Sequence, residues 1–354
     1  MKAAFSTRRH MLTIAAAAML PWNAGPADAA GPCFRGINLS GGEFGNPDGA
    51  IFKDYAYPSE VTIGYFKQKG MNIVRLPFLW ERLQPELGQA LNDAELQRIK
   101  DTVALFRKHK MSVILDPHNY AQYRKTQVGT PPATTLAFAD FWTRLSSEFA
   151  NQDDVIFGLM NEPHDIASDK WLSAANAAFR GIRAVGANNL ILVPGTKWTG
   201  AHSWQSDGPG GPNGTVMLGV KDPRKNYAFE VHQYFDSDFS GTHDECSGNE
   251  NARNAIVGMS DWARKNGTKV LLGEFGVSQA PECIAGLKAV LDAIHDNSDV
   301  WLGWTYWVAG DWWPESEPLN VQPHEGHERK QIAVLEAAAK APSPAEDACR
   351  TMGR

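Results

Sequence analysis

Hydrophobic and polar positions alternate along this chain in blocks, because short apolar runs end in polar or glycine-containing turns and helix-like stretches follow them. Nearly continuous apolar runs of this length are typical of strands that are buried on both faces. Eight strands are predicted, at residues 33–40, 71–78, 111–118, 155–163, 190–195, 227–234, 269–276 and 301–307. The spacing of apolar residues predicts amphipathic helices between them, among others at residues 93–109, 169–186 and 282–296.

Eight alternations of strand and helix predict parallel strands that close on themselves. The expected fold is an α/β protein of the (β/α)8 TIM-barrel type, in a single domain. An open doubly wound sheet is the main alternative, but no GxGxxG motif opens a helix after the first strand. A chain of 354 residues suits one such domain, which we expect to occupy residues 31–354.

The amino terminus, residues 1–30, has the pattern of a cleaved export signal. A basic start precedes an apolar stretch at residues 11–20, and small residues at 27–29 form a plausible cleavage site. About ten apolar residues are too few to span a bilayer, which requires about 20. The adjacent Arg8 and Arg9 are similar to a twin-arginine signal, which leaves the export route open. We therefore expect a secreted or periplasmic bacterial protein.

Composition narrows the choice of partners. The formal net charge is -6 at pH 7, which argues against nucleic acid and anionic membranes and is compatible with an uncharged substrate. The chain contains 12 tryptophans, and exposed indoles are favoured where flat apolar faces such as sugar rings bind.

Chemically capable side chains recur at or near the carboxyl ends of six predicted strands, which is where (β/α)8 barrels build their active sites. They are Arg75, His118, Asn161, Glu162, His232, Tyr234, Glu274 and Trp307. Two of them are glutamates on separate strands, and a carboxylate at the end of a buried strand is costly to desolvate unless something uses or compensates it.

Two carboxyl groups are what hydrolysis of a glycosidic bond requires, one as a proton donor and one as a nucleophile or base. Glu162 follows the fourth strand and Glu274 the seventh. Arg75 and Tyr234 are candidates to keep Glu274 ionised, and His232 is a candidate to set the protonation of Glu162. The sequence alone does not give the distance between the two glutamates, which separates retaining from inverting enzymes.

Several motifs resemble glycoside hydrolase family 5. They are NIVRLP (72–77), DPHNY (116–120), GLMNEPHD (158–165), VHQYFDSD (231–238), LLGEFGV (271–277) and WLGWTYWVAGDWW (301–313). The stretches ILVPGTKWTGAHSW (191–204) and SDFSGTHDEC (237–246) are similar to the endo-β-1,4-glucanase (cellulase) subgroup of that family. The sequence departs from this subgroup after Trp307, where Asp311 and Pro314 stand in place of the expected proline and glycine.

The resemblance implies a retaining double displacement in which Glu162 is the acid/base and Glu274 the nucleophile. It further implies that Asn161 contacts the sugar 2-hydroxyl and that Trp307 stacks beneath the sugar next to the scissile bond. The remaining residues would be the supporting shell of the site: Arg75, His118, His232 and Tyr234.

The predicted function is therefore an endo-β-1,4-glucanase, a monomer that cuts internal bonds of cellulose or soluble β-glucans without a metal or cofactor. A mannanase or xyloglucanase could share every catalytic residue and differ only in loop contacts. A carbohydrate-binding protein without turnover is a more remote alternative. A metallohydrolase that uses His118 and His232 is disfavoured, because the HxH motif and the further ligands of barrel metallohydrolases are missing.

Tryptophans outside the motifs fall into two predicted groups. Three lie in helical patterns and are expected in the core: Trp142, Trp171 and Trp262. Four lie in loops after the fifth and eighth strands, where we expect at least two to stack on sugars: Trp198, Trp204, Trp312 and Trp313.

The four cysteines follow the same predicted topology. Cys246 and Cys283 come after the sixth and seventh strands, at the same end of the barrel, so we expect them to pair. Cys33 begins the first strand at the other end, where the last helix should deliver Cys349. A second bridge joining the termini is therefore predicted.

Overall fold

A computed structural model describes Met1, residues 30–344 and Cys349. The export signal predicted at residues 1–30 thus lies outside the described residues, except for its two ends. Within the described part of the chain, no helix has both the length and the apolar character needed to cross a membrane.

Eight parallel strands form a closed barrel, which confirms the predicted fold. They are β1 (Phe34–Leu39), β2 (Ile73–Phe78), β3 (Ser112–Pro117), β4 (Val155–Gly158), β5 (Ile191–Pro194), β6 (Tyr227–His232), β7 (Val270–Glu274) and β8 (Trp301–Ala309). Each strand pairs with its neighbours in sequence, and β8 closes the ring on β1 with Phe34 opposite Gly303.

Helices surround the barrel and shield the outward face of the strands. They are α1 (Glu60–Gln68), α2 (Trp80–Leu83), α3 (Asp93–Lys108), α4 (Thr135–Glu148), α5 (Ser168–Ala184), α6 (Asn213–Val216), α7 (Asn249–Asn266), α8 (Pro281–Asp296) and α9 (Gln331–Lys340). The three helices whose residue ranges were predicted, 93–109, 169–186 and 282–296, correspond to α3, α5 and α8. After β5 the long helix is replaced by the single turn of α6 and a 3-10 turn at Met217–Gly219.

Local sequence signals account for several helix boundaries. The side chains of Ser59, Asn92 and Thr134 accept hydrogen bonds from the first turns of α1, α3 and α4, as N-cap residues do. Pro281 occupies the first position of α8, where its missing N–H costs nothing. Gly267 ends α7 in the left-handed conformation that a glycine C-cap adopts easily.

The barrel interior has an apolar layer and, above it, a charged layer. Seven strands each contribute one residue to a separate buried cluster: Ile73, Ile114, Ile156, Leu192, Ala228, Leu271 and Leu302. Side chains two positions further along a strand point to the same face. In β2, β3 and β6 those next inward positions hold Arg75, Asp116 and Glu230, all buried. The floor of the site is therefore hydrophobic and its wall is charged.

Both predicted disulfides are present. Cys246 pairs with Cys283 and joins the loop before α7 to the first turn of α8. Cys33 pairs with Cys349 across 316 residues and fastens the start of β1 to the carboxyl-terminal region.

Candidate active site

All eight predicted site residues are brought together around the mouth of the barrel, although two lie within their strands rather than at the ends. Arg75 is the third of six residues in β2, and Trp307 is the seventh of nine in β8. For Arg75 the predicted position at the strand end is wrong: its long side chain reaches the site from inside the ring. His118 follows β3 directly, while His232 and Glu274 end β6 and β7.

The fourth strand is shorter than predicted, and this places Glu162 in a loop. β4 ends at Gly158, after which Leu159 still donates a backbone hydrogen bond to Leu192 at 3.0 Å. The Asn161 amide then turns to the Pro117 carbonyl, also at 3.0 Å, and Glu162 adopts a φ of 41°. This left-handed backbone is uncommon for glutamate and turns its side chain into the mouth.

Arg75 is the centre of the hydrogen-bond network. Its Nη1 donates to Glu274 Oε1 at 2.7 Å and to Asn38 Oδ1 at 3.0 Å. Its Nη2 donates to Asn161 Oδ1 at 2.7 Å. The guanidinium is fully buried, so these contacts fix both the glutamate and the amide with little freedom.

Two carboxylates that the sequence analysis missed complete the surroundings of Arg75. Asp116 Oδ2 lies 3.2 Å from its Nη2, and Glu230 Oε1 lies 2.9 Å from its Nε. Burial alone would lower the pKa of Arg75, but the charges of Asp116, Glu230 and Glu274 outweigh it and raise that pKa. The alternation of side chains along a strand was the available signal. Asp116 and Glu230 come two positions before His118 and His232, so each should point to the same face as its histidine.

Glu274 is buried and receives a hydrogen bond on each oxygen. Arg75 binds Oε1, and the hydroxyl of Tyr234 donates to Oε2 at 2.9 Å. Burial and the nearby charge of Glu162 raise the pKa of Glu274 above its usual value, and the charges of His232 and Arg75 offset only part of that rise. Two donors aimed at both oxygens favour the carboxylate form, which is the form a nucleophile needs.

Glu162 lies in a more open setting, with 15% of its side chain exposed. Its Oε1 is 2.7 Å from Nδ1 of His232, which also lies 3.5 Å from Glu274 Oε2. On the other side of the His232 imidazole, Nε2 is 3.3 Å from Glu230 Oε1. Burial lowers the pKa of His232, but the surrounding carboxylates Glu274, Glu162 and Glu230 outweigh it and raise that pKa to about 10.

The two glutamates face each other across a short gap. One carboxylate oxygen from each, together with a ring nitrogen of His232, forms a cluster in which all atoms lie within 4.8 Å of one another. Such a trio has the donor types of a metal site. Each member already shares a hydrogen bond or ion pair with another, however, so a cation would have to displace the proton on His232.

A chain of contacts through His118 connects the charged layer to Asn161 and to the indole of Trp307. Asp116 Oδ2 lies 2.8 Å from His118 Nδ1, and Asn161 Nδ2 lies 3.0 Å from His118 Nε2. The imidazole of His118 then stacks on Trp307 with 5.5 Å between ring centroids and an angle of 17°. Both Asn161 and the indole are thereby held in fixed orientations.

The predictions for the tryptophans are confirmed for the core residues and wrong for one of the loop residues. Trp142, Trp171 and Trp262 are buried as predicted. Trp204 is wrongly predicted at the mouth: it is 1% exposed and packs edge-on against Trp262, 5.4 Å away. Trp198 is 52% exposed and stacks on His164, the second residue after Glu162, at 4.7 Å. Trp312 is also exposed, and Trp313 packs edge-on against Trp307 at 6.0 Å.

The model of the family described as "Cellulase (glycosyl hydrolase family 5)" matches residues 28–310. The chain belongs to glycosyl hydrolase family 5. It is therefore a glycoside hydrolase, and the family resemblance noted in the sequence is confirmed.

Similar members of glycosyl hydrolase family 5 include curated and solved proteins. Endoglucanase 1 of Robillarda sp. (strain Y-20) is 35% identical over 312 residues, which are 80% of each chain. The structure of endo-beta-1,4-glucanase Xac0029 from Xanthomonas axonopodis pv. citri is 43% identical, with a TM-score of 0.85 over 87% of this chain and 98% of the other. XacCel5A, solved in complex with cellopentaose, is 45% identical, with a TM-score of 0.85 over 87% and 99%.

Proposed function

We propose that this protein is a retaining endo-β-1,4-glucanase that hydrolyses internal β-1,4 bonds of cellulose or soluble β-glucans. The separation of Glu162 and Glu274 carries the proposal, since their nearest oxygens lie within 4.8 Å of each other. Retaining glycosidases separate their carboxyl groups by about 5 to 5.5 Å, and inverting ones by about 6.5 to 9.5 Å. The names of the similar glucanases and the cellopentaose bound to one of them support the choice of substrate.

In the first step, the Glu274 carboxylate attacks the anomeric carbon of the sugar. The glycosidic C–O bond breaks, and the proton of Glu162 moves to the departing oxygen, so that a covalent glycosyl ester forms on Glu274. The two environments suit this division of labour. Glu274 is buried between two hydrogen-bond donors, whereas Glu162 is partly exposed, where a leaving group and then a water can reach it.

In the second step, the ionised Glu162 takes a proton from water, whose oxygen attacks the anomeric carbon. The bond to Glu274 breaks, and the carboxylate returns to its starting state with net retention at the anomeric carbon. His232 adjoins both carboxylates, at 2.7 Å from Glu162 and 3.5 Å from Glu274. We infer that it stabilises whichever glutamate is negatively charged at each stage.

The neighbouring side chains are proposed to hold the sugar. Trp307 offers a flat apolar surface that His118 fixes from one side. Asn161 retains one free amide hydrogen for the sugar 2-hydroxyl, because its oxygen binds Arg75 and its nitrogen binds His118. Hydrogen bonds to that hydroxyl strengthen in the transition state.

The test is an NMR readout of the first product released from a cello-oligosaccharide. We expect the β-anomer to form first and mutarotate later, and an initial α-anomer would refute the retaining mechanism. Glu274→Gln should abolish hydrolysis, because an amide cannot form the glycosyl ester. Carboxymethylcellulose, mannan and xyloglucan assayed together identify the substrate, and a preference for mannan or xyloglucan would redirect the proposal to those activities.

We also propose that the enzyme acts outside the cytoplasm, as an exported monomer. The two disulfides support this location, because such bonds persist in oxidising compartments. Expression from residue 1 followed by mass analysis of the exported chain tests it: cleavage near residue 30 is expected, and an uncleaved cytoplasmic product would contradict it.

A further inference from the structure

The loop between β6 and α7, residues 233–248, packs on the back of the candidate nucleophile site. Tyr234, whose hydroxyl binds Glu274, is the second residue of this loop and is 7% exposed. Further along, the loop folds back so that Gly241 lies against the Tyr234 ring. A Cβ on Gly241 would come within 2.5 Å of Tyr234 Cδ1, and its φ is 72°. Only a glycine fits this approach without moving the ring.

Asp236 determines where Gly241 lies. Its Oδ1 accepts a hydrogen bond from the Gly241 amide at 3.0 Å. Its Oδ2 accepts from the Ser240 hydroxyl at 2.9 Å and from the His243 amide at 3.3 Å, and it also lies 3.1 Å from Nδ1 of the His243 imidazole. Asp236 is only 2% exposed, so water cannot take the place of its carboxylate as the acceptor for these donors.

The far end of the loop is anchored separately. The Gly248 amide donates to the Phe235 carbonyl at 2.8 Å, which joins the two ends of the loop. Cys246 is bonded to Cys283, and the Ser278 hydroxyl donates to the Asp244 carbonyl at 2.7 Å. The loop therefore has fixed ends, and its middle is held by Asp236.

We propose that Asp236 is a positioning residue which, through Gly241, holds the Tyr234 hydroxyl on Glu274. The charge of Asp236 orders the loop, the loop presses Gly241 on the ring, and the ring orients the donor. The proposal rests on the proposed function in one respect, because Glu274 must be the group whose ionisation the reaction needs.

A change in the Tyr234 hydrogen bond should be visible in the pH profile, because that bond favours the ionised Glu274. The other groups that face Glu274 are Arg75 from β2, His118 from the end of β3, Glu162 from the loop after β4, and His232 from β6. None of these four contacts the 236–248 segment through a hydrogen bond or ion pair that changes in the test variants. His243, with its Nδ1 at 3.1 Å from Asp236 Oδ2 and 3.6 Å from Asp238 Oδ1, is the titratable group that faces Asp236. A shift of the acidic limb that is shared by Tyr234→Phe and Gly241→Ala, both of which keep the Asp236–His243 pair, would thus report on Tyr234.

The experiment compares pH profiles of kcat/KM on a soluble cello-oligosaccharide for folded variants of the full chain. Removing the hydroxyl in Tyr234→Phe should raise the acidic apparent pKa by about one unit. Asp236→Asn should shift it in the same direction by about half a unit and lower kcat, since one amide oxygen cannot serve all the donors that the two carboxylate oxygens bind. Asp244→Asn is the matched control, because that residue is exposed in the same loop and binds Ser278 through its backbone carbonyl, which the substitution leaves in place. Its profile should equal that of the unmodified protein.

Two further variants make the outcome decisive. Gly241→Ala displaces the Tyr234 ring while leaving the Asp236 carboxylate in place, so it should reproduce the shift even where Asp236→Asn fails to fold. The double variant Asp236→Asn/Tyr234→Phe should shift no more than Tyr234→Phe alone. Unshifted profiles for folded Asp236→Asn and Gly241→Ala, or additive shifts in the double variant, would overturn the positioning role. Hydrolysis retained by Glu274→Gln would instead overturn the proposed function.

Discussion

Replacing Arg75 with methionine should be among the most destabilising single changes in this barrel. The guanidinium is fully buried and faces three carboxylates: Glu274 at 2.7 Å, Glu230 at 2.9 Å and Asp116 at 3.2 Å. Methionine fills much of the volume but carries no charge. Removing one partner of a buried ion pair costs about 3 to 5 kcal/mol, because the remaining charge is left without compensation. We expect a loss near the upper end of that range at pH 7.

The loss of stability in Arg75→Met should depend on pH, and the direction of that dependence follows from the protonation of the three carboxylates. Without Arg75 at least one of them has a folded-state pKa above its unfolded value, so the folded variant binds an extra proton. Its stability is then greatest at low pH and falls as the pH rises from about 4.5 to 7. At about 1.4 kcal/mol per pH unit for one proton, the deficit should shrink by about 2 to 3 kcal/mol between pH 7 and pH 5.

Urea unfolding followed by tryptophan fluorescence at both pH values measures the deficit. Arg107→Met is the matched control, because Arg107 makes a two-pronged pair with Asp154 at 2.6 and 2.9 Å, although its side chain is 49% exposed. An exposed pair contributes less than about 1 kcal/mol. If the Arg75 variant lost no more than the Arg107 variant, or lost the same amount at pH 5 and pH 7, the account of a compensated charged layer would be wrong.

Three further outcomes are expected. Glu162→Ala should lose at least about 100-fold in kcat/KM on carboxymethylcellulose but much less on an aryl cellobioside whose leaving group needs no proton, and equal losses on both would contradict its role as the acid. Trp198→Ala should raise KM for cellopentaose about 3- to 10-fold with little change in kcat, since its exposed indole stacks beside the mouth, whereas Leu136→Ala on the outer face of α4 should change neither. Activity should survive EDTA, because two carboxyl groups supply both the nucleophile and the acid; a loss that zinc restores would favour a metallohydrolase.

The barrel was predictable because its strands are buried on both faces. Continuous apolar runs with intervening helical periodicity have few other solutions, and all eight predicted runs are strands. The boundary of β4 was not predictable in the same way. The strand ends at Gly158, and after one more hydrogen bond from Leu159 the chain leaves β5 and turns Glu162 into the mouth with a positive φ. Apolar patterning contains no signal for that turn, since Leu159 and Met160 remain fully buried.

The candidate site was predicted by position, while its contacts depend on which strands become neighbours in space. Asn38 on β1 binds Arg75, although nothing around it in sequence is chemically unusual. Trp204 shows the opposite failure. It follows β5 in a loop, as a binding residue would, yet α6 is too short to cover the barrel and the indole fills the space against Phe229 and Trp262. The missing long helix after β5 therefore converts a predicted surface residue into core.

The charged wall of the site and the apolar floor beneath it are built from successive inward-facing residues of the same strands. Ile73 and Arg75, Ile114 and Asp116 are pairs of inward residues separated by one outward residue. The isoleucines exclude water from below, so the charges above interact through a medium of low polarity, where they hold Glu274 more firmly than they would in water. Since the inward positions recur every second residue, an insertion of one residue into β2 would turn Arg75 outward. Glu274 would then keep its burial and its neighbour His232 but lose the charge of Arg75, which is the state that the Arg75→Met variant imitates.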